Sequence, residues 1–373
     1  MRVSIIIINY NCARFLSQAI DSALAQTYAD TEIVIVDDGS MDESAEIIYS
    51  YGSRVRSVFK SNGGQLSCYT RGLASASGRL ILYLDADDFL CPECVSEVVA
   101  TWTAGCVKVH FYLMVVDEHG AQTSAVVPSG RLSTGPQALK MMRRFGTYCS
   151  PPASGNVYHR EFLAEILPRE DDARFKKFEV IRFGGDSVPI LAAPFFGAVK
   201  GIPKVLGYYR RHAGAGGAVT PEFSTVSGLQ LLEKEYARET ARDSAWQLAT
   251  GRSEPARLPE PSRLKRRFCY LRLSGRGLDP GDDRLSLSLQ GMKSAFYWDG
   301  YAMVQKLAAA VWFVAVGLLP LRMAVVLIRP ALGLSHRSTG LKRFLRLARS
   351  GANGQATANI RSERGAKTIR PLL

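Results

Sequence analysis

Apolar and polar positions switch between two regimes over the first 116 residues. Val3 to Ile8 is an unbroken apolar, β-branched run, which predicts a strand buried on both faces. Asn11 then stands where a helix cap is needed, ahead of Phe15, Leu16, Ala19, Ile20, Ala23 and Leu24 at helical spacing. Ile33 to Val36 predicts a second short buried strand, which stops abruptly at Asp37-Asp38-Gly39-Ser40. Helical spacing follows over 42–51 and 65–77, with further strands at Leu80 to Leu84 and Val107 to Val116. Strands alternating with helices predict an α/β fold built on a doubly wound, mostly parallel sheet. Such sheets take ligands outside the carboxyl ends of their strands, which is where the polar clusters of this chain fall.

The pattern loses regularity between about 130 and 225, interrupted by Pro151-Pro152, Gly184-Gly185 and Gly214 to Gly217. Helical spacing returns from Leu229 to Leu248, and Pro255, Pro259 and Pro261 among charged residues read as a linker. The expected organisation is a domain over 1–220, a helix and proline-containing linker over 221–262, and a smaller, mainly helical, basic and amphipathic region over 263–373. Within that region Leu307 to Leu321 runs fifteen residues without a charge, interrupted by Pro320 and followed by Arg322. A full bilayer span needs roughly 20 apolar residues.

Composition narrows the class. A chain of 373 residues, 47% hydrophobic and 22% charged, is neither disordered throughout nor a polytopic membrane protein. Seven cysteines, scattered from Cys12 to Cys269, argue against a disulfide-stapled secreted scaffold. Ile5 to Ile8 meets polar Asn9 and Asn11 at once, so no signal peptide is expected and the protein reads as cytoplasmic. The net charge of +13 is uneven: residues 1–100 hold 7 basic and 13 acidic side chains (−6), residues 329–373 hold 10 and 1 (+9). The acidic end is unsuited to nucleic acid, and no nucleic-acid partner is expected; the basic end suits phosphates.

Asp37-Asp38 and Asp85-Ala86-Asp87-Asp88 each end an apolar strand. Crowded carboxylates repel and raise one another's pKa unless a cation or hydrogen-bond donors offset the repulsion. A divalent ion with hard oxygen ligands, Mg²⁺ or Mn²⁺, is the natural remedy, and such an ion bridges readily to a diphosphate. Turn and capping roles would account for one acidic pair; two at neighbouring strand tips favour a shared ion. A receiver-like phosphoacceptor sheet leaves the second cluster without a purpose. Cys91-Pro92-Glu93-Cys94 lacks a second pair at zinc-ligand spacing, and His110, within an apolar strand, reads as a satisfied core histidine. Neither a GxGxxG nor a P-loop is present.

Several segments then fall into one order. Val3-Ser4-Ile5-Ile6-Ile7-Ile8-Asn9-Tyr10-Asn11, Ile35-Val36-Asp37-Asp38-Gly39-Ser40, Asn62-Gly63-Gly64-Gln65 and, after Gly78, Leu82-Tyr83-Leu84-Asp85-Ala86-Asp87-Asp88 together resemble family 2 glycosyltransferases of the GT-A fold, over about 1–215. The resemblance implies a GT-A-like domain over 1–220, a nucleoside-diphosphate sugar donor with UDP favoured, a divalent metal and inversion at the anomeric carbon. By the same resemblance Ile8, Asn9 and Tyr10 lie at the nucleotide, Tyr10 packing on the base and Asp38 bonding it, with Gly64 nearby. Asp85-Ala86-Asp87 matches the family's DxD; Asp87 would sit by ribose and metal, and Asp88 would be a direct metal ligand. Phe183-Gly184-Gly185-Asp186 resembles the segment carrying the catalytic base, leaving Asp186 as that base because Gly185 stands at the first acidic position. Tyr208-Tyr209-Arg210-Arg211-His212 is similar to the segment ending the family's catalytic domain, so Arg210 or His212 would approach the diphosphate; the alternative is a basic surface strand. Ser154-Gly155-Asn156 is similar to an acceptor-side segment.

Two departures stand out: Ile8-Asn9 replaces the family's usual Pro-Thr or Pro-Ser, and Tyr69-Thr70 its Arg-Asn. The Ile8-Asn9 departure, with Gly185, leaves a rival open, a catalytically inactive nucleotide-sugar-binding subunit of a membrane-bound complex. The enzyme reading expects a glycan or lipid-linked acceptor and a role in cell-surface polysaccharide assembly. Because sugar nucleotides are cytosolic and the +9 tail prefers the same side, the 307–328 run is expected to be interfacial or re-entrant, broken at Pro320 and Arg322. Its basic flanks would meet an anionic membrane surface, giving peripheral or monotopic attachment to the cytoplasmic membrane. A buried helix of a C-terminal subdomain is the alternative.

Overall fold

The structure, a computed structural model, describes residues 1–167, 185–212, 232 and 258–331, with side chains through 328. Strands β1 (Val3–Asn9), β2 (Thr31–Asp37), β3 (Arg56–Phe59) and β4 (Leu80–Asp85) alternate with helices α1 (Ala13–Leu24), α2 (Ser44–Ser50) and α3 (Gln65–Ser75). Then come β5 (Phe89–Leu90), α4 (Cys94–Thr101), β6 (Cys106–Val116), β7 (Gln122–Val127), α5 (Pro136–Phe145), β8 (Asn156–His159), α6 (Arg160–Ile166), α7 (Ser187–Phe196) and β9 (Ala198–Arg210). Among the described residues nine strands form one sheet in the order β3-β2-β1-β4-β8-β6-β9-β5, with β7 on β6. Its long ladders, β1 with β2 and β4 and β6 with β9, are parallel; β8, β5 and β7 add short antiparallel ones.

The β1 run is buried on both faces, as its unbroken apolar pattern requires. Ile6 packs with Val34 and Val36 under α3, α5, α6 and α7. Val3, Ile5 and Ile7 pack on the other face under α1, α2 and α4. Each face of the sheet therefore carries its own helical layer, and the polar strand tips are left at one edge. The start of α1 corrects one expectation. Asn11 does not cap it: at φ +50° its Oδ1 accepts from Met41 N at 2.7 Å, and Asp42 Oδ2 takes the Ala13 amide at 2.9 Å. The cap thus comes from the next βα turn, 29 residues on.

Among the described residues beyond 258 four helices, α8 (Pro261–Ser274), α9 (Arg284–Tyr297), α10 (Met303–Leu318) and α11 (Leu321–Ala331), pack a separate core of Leu264, Phe268, Leu287, Phe313, Val316 and Ile328. The apolar 307–328 run is two helices broken at Pro320, where the proline lacks the amide a continuous helix would use. Its inner face fills this core, as the buried-helix alternative expects. The loop after α9 seats the bundle on the sheet domain: Trp298 is buried edge-on to Phe145 at 5.2 Å, and Arg131 N donates to Gly300 O at 3.0 Å. Leu229 to Leu248, apart from Leu232, and the 332–373 tail lie outside the described residues.

Candidate active site

Register brings three strand tips together. Ile8 of β1 sits beside Val36 of β2 and Asp85 of β4, and Asn9 beside Asp37. The two acidic clusters therefore flank β1, but they are neutralised differently. Asp37 closes a turn: its carboxylate accepts from Asn9 Nδ2 at 2.7 Å, Ser40 N at 2.9 Å and Ser40 Oγ at 2.7 Å. Asn9 is wholly buried, so its side chain acts on this turn, while Tyr10 is exposed at the tip of β1. Asp38 accepts from Lys60 Nζ at 2.5 Å and from the Gly63 and Gly64 amides at 2.9 and 2.8 Å. Gly64, at φ +81°, turns the chain from that carboxylate into α3, a conformation side chains disfavour. The expectation of one ion shared by both clusters is corrected: a lysine and two amides already meet the Asp38 charge.

Asp85, Asp87 and Asp88 are different. One oxygen from each lies within 4.8 Å of the others. Asp88 accepts from Ser154 Oγ at 2.6 Å and from Arg210 N at 2.9 Å, and Asp85 has Gln65 Nε2 at 3.4 Å. Asp87 Oδ2 is 3.0 Å from His212 Nε2, whose ring packs on Phe15 at 4.8 Å. Burial pushes Asp85 well above the usual carboxylate range, with Asp87 and then Asp186 adding to the rise. Burial, Asp87 and Asp85 do the same to Asp88. Nearby Cys12 is pushed up to about 12, first by burial and then by Asp87, so it stays a neutral thiol. Hard oxygen donors whose burial and mutual repulsion disfavour the ionised form without a cation fit Mg²⁺ or Mn²⁺.

Asp186 stands at the N-terminus of α7 yet makes no side-chain capping bond to that helix. Its charge reaches Asp85, Tyr69 and Lys108, so the sheet edge and the start of α7 share one electrostatic environment. A Cβ on Gly185 would lie 2.9 Å from Leu66 N and 3.1 Å from its Cα. Any side chain at this position would meet that backbone, because α7 starts hard against the first turn of α3. Phe183 and Gly184 lie outside the described residues.

Residues 4–167 match the family model described as Glycosyl transferase family 2. This stretch is a family 2 glycosyltransferase domain. An uncharacterized glycosyltransferase of Nostoc sp. is 35% identical over 217 residues, 57% of this chain and 65% of its own. The chondroitin synthase of Pasteurella multocida is 41% identical over 112 residues, 28% of this chain and 12% of its own. The chain thus spans less than two thirds of either relative. Among solved structures, S. aureus TarS 1-349 in complex with UDP-GlcNAc is similar at a TM-score of 0.48 and 15% identity, covering 91% of this chain and 95% of that one.

Within and beside the family 2 domain the remaining candidates separate by direction. Arg210 is buried and turned inward: Nε donates to Asp87 O at 2.9 Å, Nη1 to the Asp117 and Glu118 carbonyls at 3.3 and 3.1 Å, and Nη2 to Gln18 Oε1. Its guanidinium also lies over Phe15, 4.6 Å from the ring centre. The residue ties β9 to the acidic loop, whereas His212 lies on the carboxylate side. Ser154 bridges the cluster, donating to Asp88 and accepting from Asp85 N at 3.1 Å. Asn156 holds that loop through the carbonyls of Pro151, Pro152 and Ala153. Tyr69 is stacked on Tyr83 with centroids 3.8 Å apart, deep beneath the site. Sequence reasoning missed Gln18, Phe15 and Lys60, which carry no pattern of their own; it tied Ser154 to the acceptor rather than to the acidic cluster. Cys91 and Cys94 are free thiols at the start of α4.

Proposed function

We propose that this protein is a metal-dependent inverting glycosyltransferase, moving a sugar from a nucleoside-diphosphate sugar, UDP favoured, to a hydroxyl of a glycan or lipid-linked acceptor. The observation that carries the reading is the convergence of Asp85, Asp87 and Asp88 at the tip of β4, with Asp186 in electrostatic reach. Asp87, Asp88 and His212 would hold the cation, which when bound supplies Lewis-acid neutralisation of a diphosphate's charge. Arg210 and Ser154 are positioning residues: one fixes the backbone of Asp87, the other orients Asp88. The exposed Tyr10 ring, beside the buried Asp37-Asp38 turn, offers a surface for the nucleotide.

Asp186 acts as base. As the acceptor oxygen forms its bond to the anomeric carbon, its proton passes to the Asp186 carboxylate. The bond from that carbon to the diphosphate oxygen breaks, and its electron pair leaves with the diphosphate. One displacement inverts the centre. Relatives named for chondroitin and hyaluronan synthesis support a polysaccharide product. The reading places the protein in the cytoplasm, peripherally attached to a membrane.

The test pairs two substitutions. Asp186→Asn should abolish transfer while nucleotide-sugar binding survives, and Asp87→Ala should weaken Mn²⁺-dependent nucleotide binding. Unchanged turnover in the first removes Asp186 from its role; unchanged binding in the second removes the cation from this cluster. Thermal shifts with UDP, GDP and dTDP sugars identify the donor. A wild-type protein that binds a donor but never transfers it would favour the silent-subunit rival.

A further inference from the structure

Helix α10 is apolar on both sides. Ala309, Phe313 and Val316 are buried in the bundle core. Opposite them Val304, Leu307, Val311 and Leu318 are 77%, 51%, 66% and 81% exposed. Their spacing puts these four on one stripe along the whole helix. Met323 and Val326 of α11 are exposed too. Single exposed apolar residues are ordinary, but a helix-long stripe of them calls for a partner.

Charge decides which partner. From 284 to 331 the basic residues Arg284, Lys293, Lys306, Arg322 and Arg329 stand against Asp299 alone. The following 332–373 holds nine basic residues against Glu363. Lys306 lies near the start of the stripe and exposed Arg322 just past its end. A second copy of this chain would oppose this basic surface to itself. Length decides the geometry. Sixteen residues at about 1.5 Å each reach about 24 Å, less than a hydrocarbon core of about 30 Å. Among the described residues no helix is long and apolar enough to cross a membrane.

We propose that α10 lies flat in the interface of an anionic lipid bilayer, with Val304, Leu307, Val311 and Leu318 among the acyl chains and Lys306 and Arg322 at the headgroups. The proposal rests on the peripheral attachment read above and not on sugar transfer. Because Trp298 seats the bundle on the sheet domain, a docked α10 tethers that domain to the membrane.

The test is flotation of the full chain with vesicles of equimolar phosphatidylcholine and phosphatidylglycerol, against phosphatidylcholine alone. Val304→Glu with Val311→Glu should lower partitioning at least about tenfold. Val304→Ser with Val311→Ser should lower it less, and both should keep the wild-type melting temperature and transfer to a soluble acceptor. Wild-type protein that never floats with the anionic vesicles overturns the attachment itself. Equal flotation of wild type and both variants leaves attachment standing but removes α10 from it. Loss of a wild-type dimer in the variants, with flotation unchanged, makes the stripe a self-interface and also overturns the proposal.

Discussion

Lys108 lies in β6 with no exposure, and none of its hydrogen-bond partners among the described residues is a carboxylate. Its Nζ donates to Tyr148 OH at 2.8 Å and Ser150 Oγ at 2.7 Å, with His110 Nδ1 at 3.5 Å. His110 Nε2 donates to Ser133 O at 3.0 Å, so both ring nitrogens are engaged inside the core. Burial drives Lys108 well below its ordinary value of 10.5, while the charges of Asp186 and Cys149 push the other way. Burial, and then Lys108, push His110 down. The interior therefore prefers both groups neutral. An unfolded lysine keeps its proton up to about 10.5, so between the lowered value and that limit the unfolded chain binds more protons, and stability rises with pH. Lys108→Met removes this penalty, and both hydroxyls keep partners, Tyr148 in Ile190 O at 2.6 Å and Ser150 in Asn156 Oδ1 at 3.2 Å. The variant should gain about 1 to 3 kcal/mol near neutral pH. Thermal melts should show the gain shrinking toward zero by about pH 10; a gain that is constant with pH would refute the neutral-amine account.

At the scale of elements the site depends on how closely α7 approaches α3. Gly185→Ala would drive a Cβ into the Leu66 backbone, which cannot turn aside as a side-chain end can. The first turn of α7 must then shift and carry Asp186 with it. The expected loss in kcat is about a hundredfold, with donor KM little changed and stability lower by about 1 to 3 kcal/mol. Steady-state kinetics check it; a loss confined to KM would mean Asp186 had not moved. This contact also marks how far sequence could reach. Val3 to Ile8, Ile33 to Val36 and Leu80 to Leu84 were legible because a strand buried on both faces must be apolar throughout. The Asp85-Ala86-Asp87-Asp88 cluster was legible because its members are neighbours in the chain. Asp37 and Asp38 were not separable, since Lys60, Gly63 and Gly64 reach Asp38 only through the fold. Asn11 looked like a cap because Asp42, the actual partner of Ala13, belongs to another turn. Among the described residues between 130 and 212 the helices run ten residues or fewer and Pro194 lies inside α7, so no helical period was long enough to read.

For the whole molecule the question is whether the helical bundle and the sheet domain move as one body. Trp298 is 6% exposed and belongs to the core beneath α3, α5 and α7, although it follows a helix of the bundle. Around it Ser294 Oγ donates to Pro259 O at 2.7 Å and Leu258 N to Arg144 O at 3.0 Å, so the connection entering α8 is held at the same place. The bundle core of Leu264, Phe268, Phe313 and Val316 is otherwise its own. Trp298, with Leu258 and Tyr301 also packed into the sheet-domain core, is therefore an apolar link between two cores, and Trp298→Ala should act on their coupling more than on either one. Truncating a buried tryptophan costs about 3 to 5 kcal/mol. If that cost falls on the junction, calorimetry should show the single wild-type transition splitting in two, with the bundle melting first. Mn²⁺ binding at the Asp85 cluster should survive below the second transition, because among the described residues no candidate ligand of the cluster comes from beyond His212. A single transition shifted down without splitting would mean the two cores fold as one unit, and that the fifteen-residue apolar run is stabilised by the sheet domain as much as by its own neighbours.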